Sequence, residues 1–337
     1  VRATPEQAEL DILKAKFSTK LDTSEQTEKA KLEGSLIALA KTLDQARAIQ
    51  AFLESIISNP GGARRVVSLT AGRGRGKSAT MGLAIAAAVS TGLSNIFITS
   101  PSPDNLKTLF EFILKGLDAL GYTEHVDYDL VQSTNPEFEK AIVRINIHRA
   151  ISHHRQTILY VAPGDAQLLG QAELVVIDEA AAIPLPLVQT LIAGPHMSWM
   201  ASTINGYEGT GRSLSLKLLA TLRESSPSAL KELKLDEPIR YSAGDPVERW
   251  LNSLLCLDIP LSVKNLAGQC PHPDACELYA LNRDTLFSYH KASEAFLQRM
   301  MTLYVASHYK NSPNDLQLMS DAPAHKLFVL LPPMDTA

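Results

Sequence analysis

The period of the apolar positions changes several times along the chain, and each change marks an element. Over 36–57, Ile37, Leu43, Ala46, Ile49, Leu53 and Ile56 recur at helical intervals and put an apolar stripe on one face. The preceding stretch, 1–33, is polar and charged. Its sparser helical spacing (Leu10, Ile12, Leu13, Phe17) predicts a helix and a loose connector. "NPGG" at 59–62 ends the stripe. Short apolar runs then alternate with helical ones. Strands are expected at 66–70 and 95–99, in "KAIVRINI" and "QTILYVA", and at 172–178 and 198–204, with helices at 78–91 and 106–120. "AELVVID" holds the unbroken apolar run LVVI before its final aspartate, as strands buried on both faces of a parallel sheet do. This alternation predicts an α/β fold with a parallel sheet flanked by helices. Beyond Arg223 the composition shifts. "ESSPSALKELKLDEP" reads as a linker, 284–309 as one long amphipathic helix, and "HKLFVLLPP" as a strand.

The 337 residues are 45% hydrophobic and allow about two domains with real cores. The net charge of −4 offers no global positive field, so contact with nucleic acid must rest on a local patch. Three cysteines, Cys256, Cys270 and Cys276, are too few and too late for a disulfide framework and fit a reducing compartment. "CPHPDAC", with Cys256 or His272, lacks the spacing of a common zinc module and reads as reduced structural thiols. "VRATPEQAEL" carries no secretory signal, and "MGLAIAAAVSTG" is too short to cross a bilayer, so no membrane association is expected. A start at valine and an end at "LLPPMDTA" read as a piece of something longer.

The chemistry concentrates in "TAGRGRGKSAT", 70–80, which sits between an expected strand and an expected helix. Small residues there let backbone N–H groups converge on phosphate oxygens, and the helix N-terminus adds partial positive charge. Lys77 suits the β/γ-phosphates and the Ser78 hydroxyl suits Mg2+. The usual first glycine of such a phosphate loop is Ala71 here, which is still small. "LVVIDEAAAIP" supplies the second half: Asp178 to hold Mg2+ through water, and Glu179 to orient and activate the attacking water. Ser202 and Thr203, after the next strand, suit a hydroxyl motif coupling the γ-phosphate to nucleic acid. "TSPSP" at 99–103 reads equally as a nucleic-acid backbone contact or as turn and cap chemistry. Gln45 reads either as an adenine-reading amide or as a surface glutamine. Arg212 and Arg240 both have the fork geometry for a γ-phosphate, though either alone reads as well as a surface ion pair.

"LTAGRGRGKSA", "SNIFITSPSPDNLKTLFEFILKGLDALGY", "GQAELVVIDEAAAIPLPLV", "MASTINGYEGTGRSLSLKLL" and "NRDTLFSYHKASEAFLQRMMTLYVASHYKNSPNDLQLMSDAPAH" closely resemble the eukaryotic RNA cytidine acetyltransferases, from about Lys41 onward. The resemblance implies a RecA-like P-loop ATPase, plus a second α/β lobe leading toward an acetyltransferase domain absent from these residues. The expected division is a helical segment and connector at 1–60, the helicase-like ATPase at 61–223, and the second lobe with the start of the acetyltransferase region at 224–337. It also implies that Ser68, Leu69, Thr70, Ala71, Gly72, Arg73, Gly74, Arg75, Gly76 and Lys77 bind ATP, and that Arg240, rather than Arg212, reaches the nucleotide. "GPHMSW" at 194–199 departs from the family's more apolar entry to that strand. The implied cofactors are ATP, Mg2+ and acetyl-CoA, the last bound outside this chain. The implied partners are small-subunit rRNA precursor, tRNA, guide small nucleolar RNA, pre-ribosomal assembly factors and a tRNA-binding adaptor, with homodimerisation. The implied location is the nucleolus of the nucleus. A generic DNA helicase is the more distant reading, because it does not account for the long family-specific stretches.

Overall fold

A computed structural model describes residues 5–21, 28–58, 65–138, 140–148, 155–194, 196–203, 219–225, 229–242, 244–256, 272–307 and 313–332. They fall into two compact units, one from the described residues within 1–204 and 210–243, the other from those within 244–337.

The first unit opens with helices α1 (Pro5–Leu21), α2 (Glu28–Ala38) and α3 (Leu43–Ile57). The expected single stripe over 36–57 is thus two helices. Thr42 is extended (φ −128°, ψ 157°), and its hydroxyl caps α3 by accepting the Gln45 N–H at 3.3 Å. Then come β1 (Val66–Ala71), α4 (Lys77–Ser90), β2 (Asn95–Thr99), α5 (Lys107–Ala119), β3 (Tyr128–Gln132), β4 (Ile142–Ile147) and β5 (Gln156–Tyr160). The unit finishes with β6 (Leu174–Ile177), α6 (Leu185–Ile192), β7 (Met197–Thr203), α7 (Leu219–Ser225) and β8 (Leu230–Leu235).

The eight strands form one sheet in the order β3-β4-β5-β2-β6-β7-β1-β8. The six strands from β5 to β8 run parallel, while β3 and β4 extend that edge as antiparallel strands. The sheet is therefore mixed at one end and parallel where the phosphate loop leaves it. Side chains alternate between two cores. Val67, Leu69, Val176 and Trp199 face α4 and α5, whereas Val66, Val175, Ile177 and Met200 face α6 and α7. Trp199 is fully buried and packs on Phe52 of α3 with ring centroids 4.7 Å apart. Leu36, Ile37, Ile49 and Leu53 close against Leu83 and Ala87 of α4, so the N-terminal helices share a core with the sheet domain.

"LKELKL", expected within a linker, is the edge strand β8, in parallel register with β1 from Val66↔Leu230 to Ala71↔Leu235. Its alternating lysine and glutamate lie on an edge, where charge discourages pairing with other chains.

The second unit contains α8 (Pro246–Leu254), β9 (Glu277–Ala280), α9 (Arg283–Leu286), α10 (Lys291–Ser307), α11 (Pro313–Asp321) and β10 (Phe328–Leu331). β9 and β10 pair antiparallel, and Cys256, Leu286, Leu297, Met301 and Met319 form the core. The expected long helix over 284–309 is broken between α9 and α10, and Asn282 caps α9 through its side-chain oxygen. Burial and the nearby Glu294 push the Cys256 thiol up to about 11, so it remains a protonated core group. Among the described residues no helix is long and apolar enough to cross a membrane.

Candidate nucleotide-binding site

The phosphate loop proper is Gly72–Gly76, between the end of β1 and the first turn of α4. Gly74 (φ 73°) and Gly76 (φ 79°) take left-handed backbone, which glycine adopts without a Cβ penalty. Gly76 is the N-cap of α4 and offers no side-chain oxygen, so the first N–H groups of the helix are left for a ligand. Lys77 folds back over the loop, with Nζ 3.5 Å from the Gly72 carbonyl. Ser68, Leu69, Thr70 and Ala71 lie inside β1. Ser68, Leu69 and Ala71 are buried there, and the Thr70 hydroxyl donates to the Leu233 carbonyl at 3.1 Å. These four anchor the loop to the sheet.

The loop is held from two other directions. Gln45, only 3% exposed, is no surface residue: its Nε2 donates to the Gly76 carbonyl at 3.3 Å and its Oε1 accepts the Lys41 N–H at 2.9 Å. Residues 236–240, which follow β8, form a strap along the other side. The Ile239 N–H donates to the Gly74 carbonyl at 3.1 Å. Arg75 Nε donates to the Asp236 carbonyl at 3.3 Å, and Arg75 Nη1 to the Arg73 carbonyl at 2.9 Å. Arg75 thus clips the loop to the strap, and Arg73 contributes a main-chain acceptor while its side chain is exposed. The stem of Arg240 lies on Gly74, where an added Cβ would meet its Cδ at 3.1 Å. Arg240 itself is exposed and adjoins the loop. Arg212 lies outside the described residues.

The carboxylates stand at the C-terminal edge of the same sheet, where open α/β sheets bind ligands. Asp178 follows β6 and is 1% exposed. Its Oδ1 accepts the Glu179 N–H at 3.0 Å, while its Oδ2 has no hydrogen-bond partner among the described residues. Burial raises the Asp178 carboxyl above its usual range. The Ser78 hydroxyl, the Glu179 N–H and the Lys77 ammonium oppose that rise, so Ser78 and Lys77 face the carboxylate. Glu179 is half-buried and left-handed (φ 50°, ψ 41°), a strained setting for a residue with a side chain. The turn it starts, Ala180–Ala182, packs on β7. Ser202 lies opposite Thr70 and Thr203 opposite Ala71, so the expected hydroxyl motif ends the strand beside the loop. The Thr99 and Ser202 hydroxyls are also buried without partners among the described residues.

An unpartnered buried carboxylate oxygen beside a serine hydroxyl fits a hard cation that takes few protein oxygens and completes its shell with water and phosphate. Among the described residues no three His, Cys, Asp or Glu side chains cluster as a metal site. His272 instead caps a short turn, its Nδ1 accepting the Asp274 N–H at 3.3 Å. In "TSPSP" the buried Ser100 hydroxyl donates to the Ser102 carbonyl at 2.5 Å and closes the turn before α5.

Two residues at this site escaped sequence reasoning. Asp44 and Glu237 tie α3 to the strap: Asp44 Oδ2 accepts the Asp236 and Glu237 N–H groups at 2.8 and 3.0 Å, and Glu237 Oε1 accepts the Asp44 N–H at 3.2 Å. Burial raises the Glu237 carboxyl; the N–H groups of Asp44 and Leu43 lower it, and the Asp44 and Glu6 charges raise it. The only local signal was "DEP", just upstream of Arg240.

This topology, loop and acidic pair define a RecA-like P-loop ATPase fold. The chain belongs to the RNA cytidine acetyltransferase family. The family model for RNA cytidine acetyltransferase NAT10/TcmA, helicase domain, matches residues 68–258, and that for GNAT acetyltransferase 2 matches 299–337. The RNA cytidine acetyltransferase of Saccharomyces cerevisiae is 59% identical over 361 residues, covering 98% of this chain and 33% of the relative. That of Schizosaccharomyces pombe is 66% identical over 321 residues (90% and 30%), and that of Homo sapiens 61% over 322 (89% and 31%). The chain therefore spans about a third of the length of the curated relatives it matches. Among solved structures, the large terminase of bacteriophage D6E aligns with a TM-score of 0.43 and 12% identity, over 62% of this chain and 49% of the terminase.

Proposed function

We propose that this chain is the ATP-binding and ATP-hydrolysing, helicase-like module of an RNA cytidine acetyltransferase that forms N4-acetylcytidine in small-subunit rRNA and tRNA from acetyl-CoA and ATP. The observation that carries the reading is Asp178, buried with one oxygen unpartnered and faced by Ser78 and Lys77 at the mouth of the phosphate loop. The loop N–H groups and Lys77 bind the phosphates, and Arg240 approaches them from the strap. Glu179, half-buried on its turn, accepts the proton of the attacking water. Ser78 and Asp178 would hold Mg2+, which supplies charge neutralisation at the β- and γ-phosphates. Ser202 and Thr203 carry the nucleotide state toward bound RNA. The wider reading is a nucleolar protein of ribosome biogenesis, in its functional form a homodimer. Its RNA partners are small-subunit rRNA precursor, tRNA and guide small nucleolar RNA, and its protein partners are pre-ribosomal factors and a tRNA-binding adaptor.

Steady-state ATP turnover of the whole protein with and without RNA tests this. RNA-stimulated turnover that Lys77→Ala abolishes is expected, whereas turnover that survives Lys77→Ala overturns the assignment. A second reading is a scaffold in a pre-ribosomal particle whose nucleotide acts as a latch. Bonding of the loop main chain to the strap favours it, since loop and strap then move together. Tight ATP binding with negligible turnover is its signature.

A further inference from the structure

The first turn of α3 and the strap after β8 exchange hydrogen bonds in both directions. Asp44 Oδ2 accepts two consecutive strap N–H groups, those of Asp236 and Glu237. Glu237 Oε1 returns the favour by accepting the Asp44 N–H, one of the helix-start donors that no helical carbonyl can reach. This is the logic of a capping box, closed between segments far apart in sequence rather than within one helix.

What the junction positions is the next residue pair. Pro238 follows Glu237 and fixes the backbone there. Ile239 then bonds Gly74 through its N–H, and Arg240 lays its stem along Gly74. Upstream, β8 enters the strap in register with β1, Leu235 opposite Ala71, and Arg75 grips the Asp236 carbonyl. Residues 236–240 are thus fixed by the sheet at one end and by the phosphate loop at the other, with Asp44 at the bend. Without Asp44, two N–H groups at that bend lose their acceptor. Arg240 then keeps its height over the loop only through the Ile239–Gly74 bond, the Arg75 grip on Asp236 and the single bond from Glu237 to the residue-44 N–H.

We propose that Asp44 and Glu237 form a reciprocal latch that positions Arg240 over the phosphate loop; both are positioning residues that do not themselves touch nucleotide. The inference rests on the ATPase reading of the site and names the part of it that sets the reach of the arginine.

The test is a double-mutant cycle on the whole protein, read as kcat/KM for ATP. Asp44→Ala removes two charge-assisted hydrogen bonds, both accepted by Oδ2, and is expected to lower kcat/KM by about tenfold or more. In an Arg240→Ala background the same change is expected to cost less than about twofold, because the residue being positioned is gone. Glu237→Gln keeps the Oε1 acceptor while removing one of two neighbouring negative charges, so it is expected to stay within about twofold of wild type. A merely structural Asp44 would cost the same factor in both backgrounds, and that additivity overturns the latch. A tenfold loss in Glu237→Gln overturns it too. Turnover that ignores Lys77→Ala overturns the ATPase reading itself, whereas additive losses on Lys77-dependent turnover overturn the latch alone.

Discussion

Replacing Gly76 by alanine tests how tightly the phosphate loop is built. The cost has two separable parts. Gly76 sits at φ 79°, ψ 33°, where a side chain costs about 1–2 kcal/mol. An added Cβ would also fall well inside contact with Gln45 Nε2 and lie 2.8 Å from Ile239 Cδ1. Gln45 must then release the Gly76 carbonyl, a loss of about 1 kcal/mol. The total is about 2–3 kcal/mol for Gly76→Ala. Gly121→Ala is the matched control: φ is 77°, with nothing within 4 Å of an added Cβ, so it carries the backbone part alone. The readout is urea unfolding of the 337-residue chain followed by Trp199 emission. The chain has two tryptophans, and Trp250→Phe removes the other, which is 60% exposed. Trp199 lies in the core against Phe52 of α3 and reports the first unit. The expected difference between the two alanine variants is about 1 kcal/mol or more. Equal costs would refute the close packing of Gln45 and Ile239 on the loop.

The acidic pair gives two further expectations. Burial raises the Asp178 carboxyl above its unfolded value, so protonation favours the ion-free fold: that stability is full below the unfolded pKa and is lost as pH rises through the folded one. Asp178→Asn is therefore expected to gain in thermal midpoint over the ion-free parent as pH rises from 4 to 7, while losing Mg2+-dependent ATP turnover; a variant less stable across that whole range would contradict this. Glu179→Gly releases the left-handed strain at φ 50° and is expected to stabilise by up to about 1 kcal/mol while abolishing turnover, and destabilisation in a melt would count against the strain. Arg75→Ala frees the Asp236 carbonyl and is expected to weaken ATP binding several-fold with little change at saturating ATP. An unchanged dissociation constant by calorimetry would remove the clip from the account.

The phosphate loop and Asp178–Glu179 were legible because each depends on its own flanks: a β-branched strand, a run of small residues, an alanine-rich helix start. Sheet order was less so. β8 reads as linker because its lysines and glutamate face outward on an edge, and only pairing with β1 makes it a strand. Gln45 reads either as an adenine-reading amide or as a surface residue, and only the break at Thr42, which turns the start of α3 toward Gly76, shows that it is buried against the loop. The clip from Arg75 to Asp236 and the bonds between Asp44 and Glu237 join segments separated by most of the sheet. No local period carries such pairs. The antiparallel β3–β4 edge was hidden for the same reason, since strand direction is set by pairing and not by composition.

Phosphate release by the Glu179→Gln variant of the whole protein tests hydrolysis at this loop most directly. Removing the proton acceptor while keeping the fold should leave ATP bound and lower the turnover rate by about a hundredfold or more. Turnover at the wild-type rate, with ATP binding intact, would contradict the assignment of Glu179 and the catalytic reading built on it.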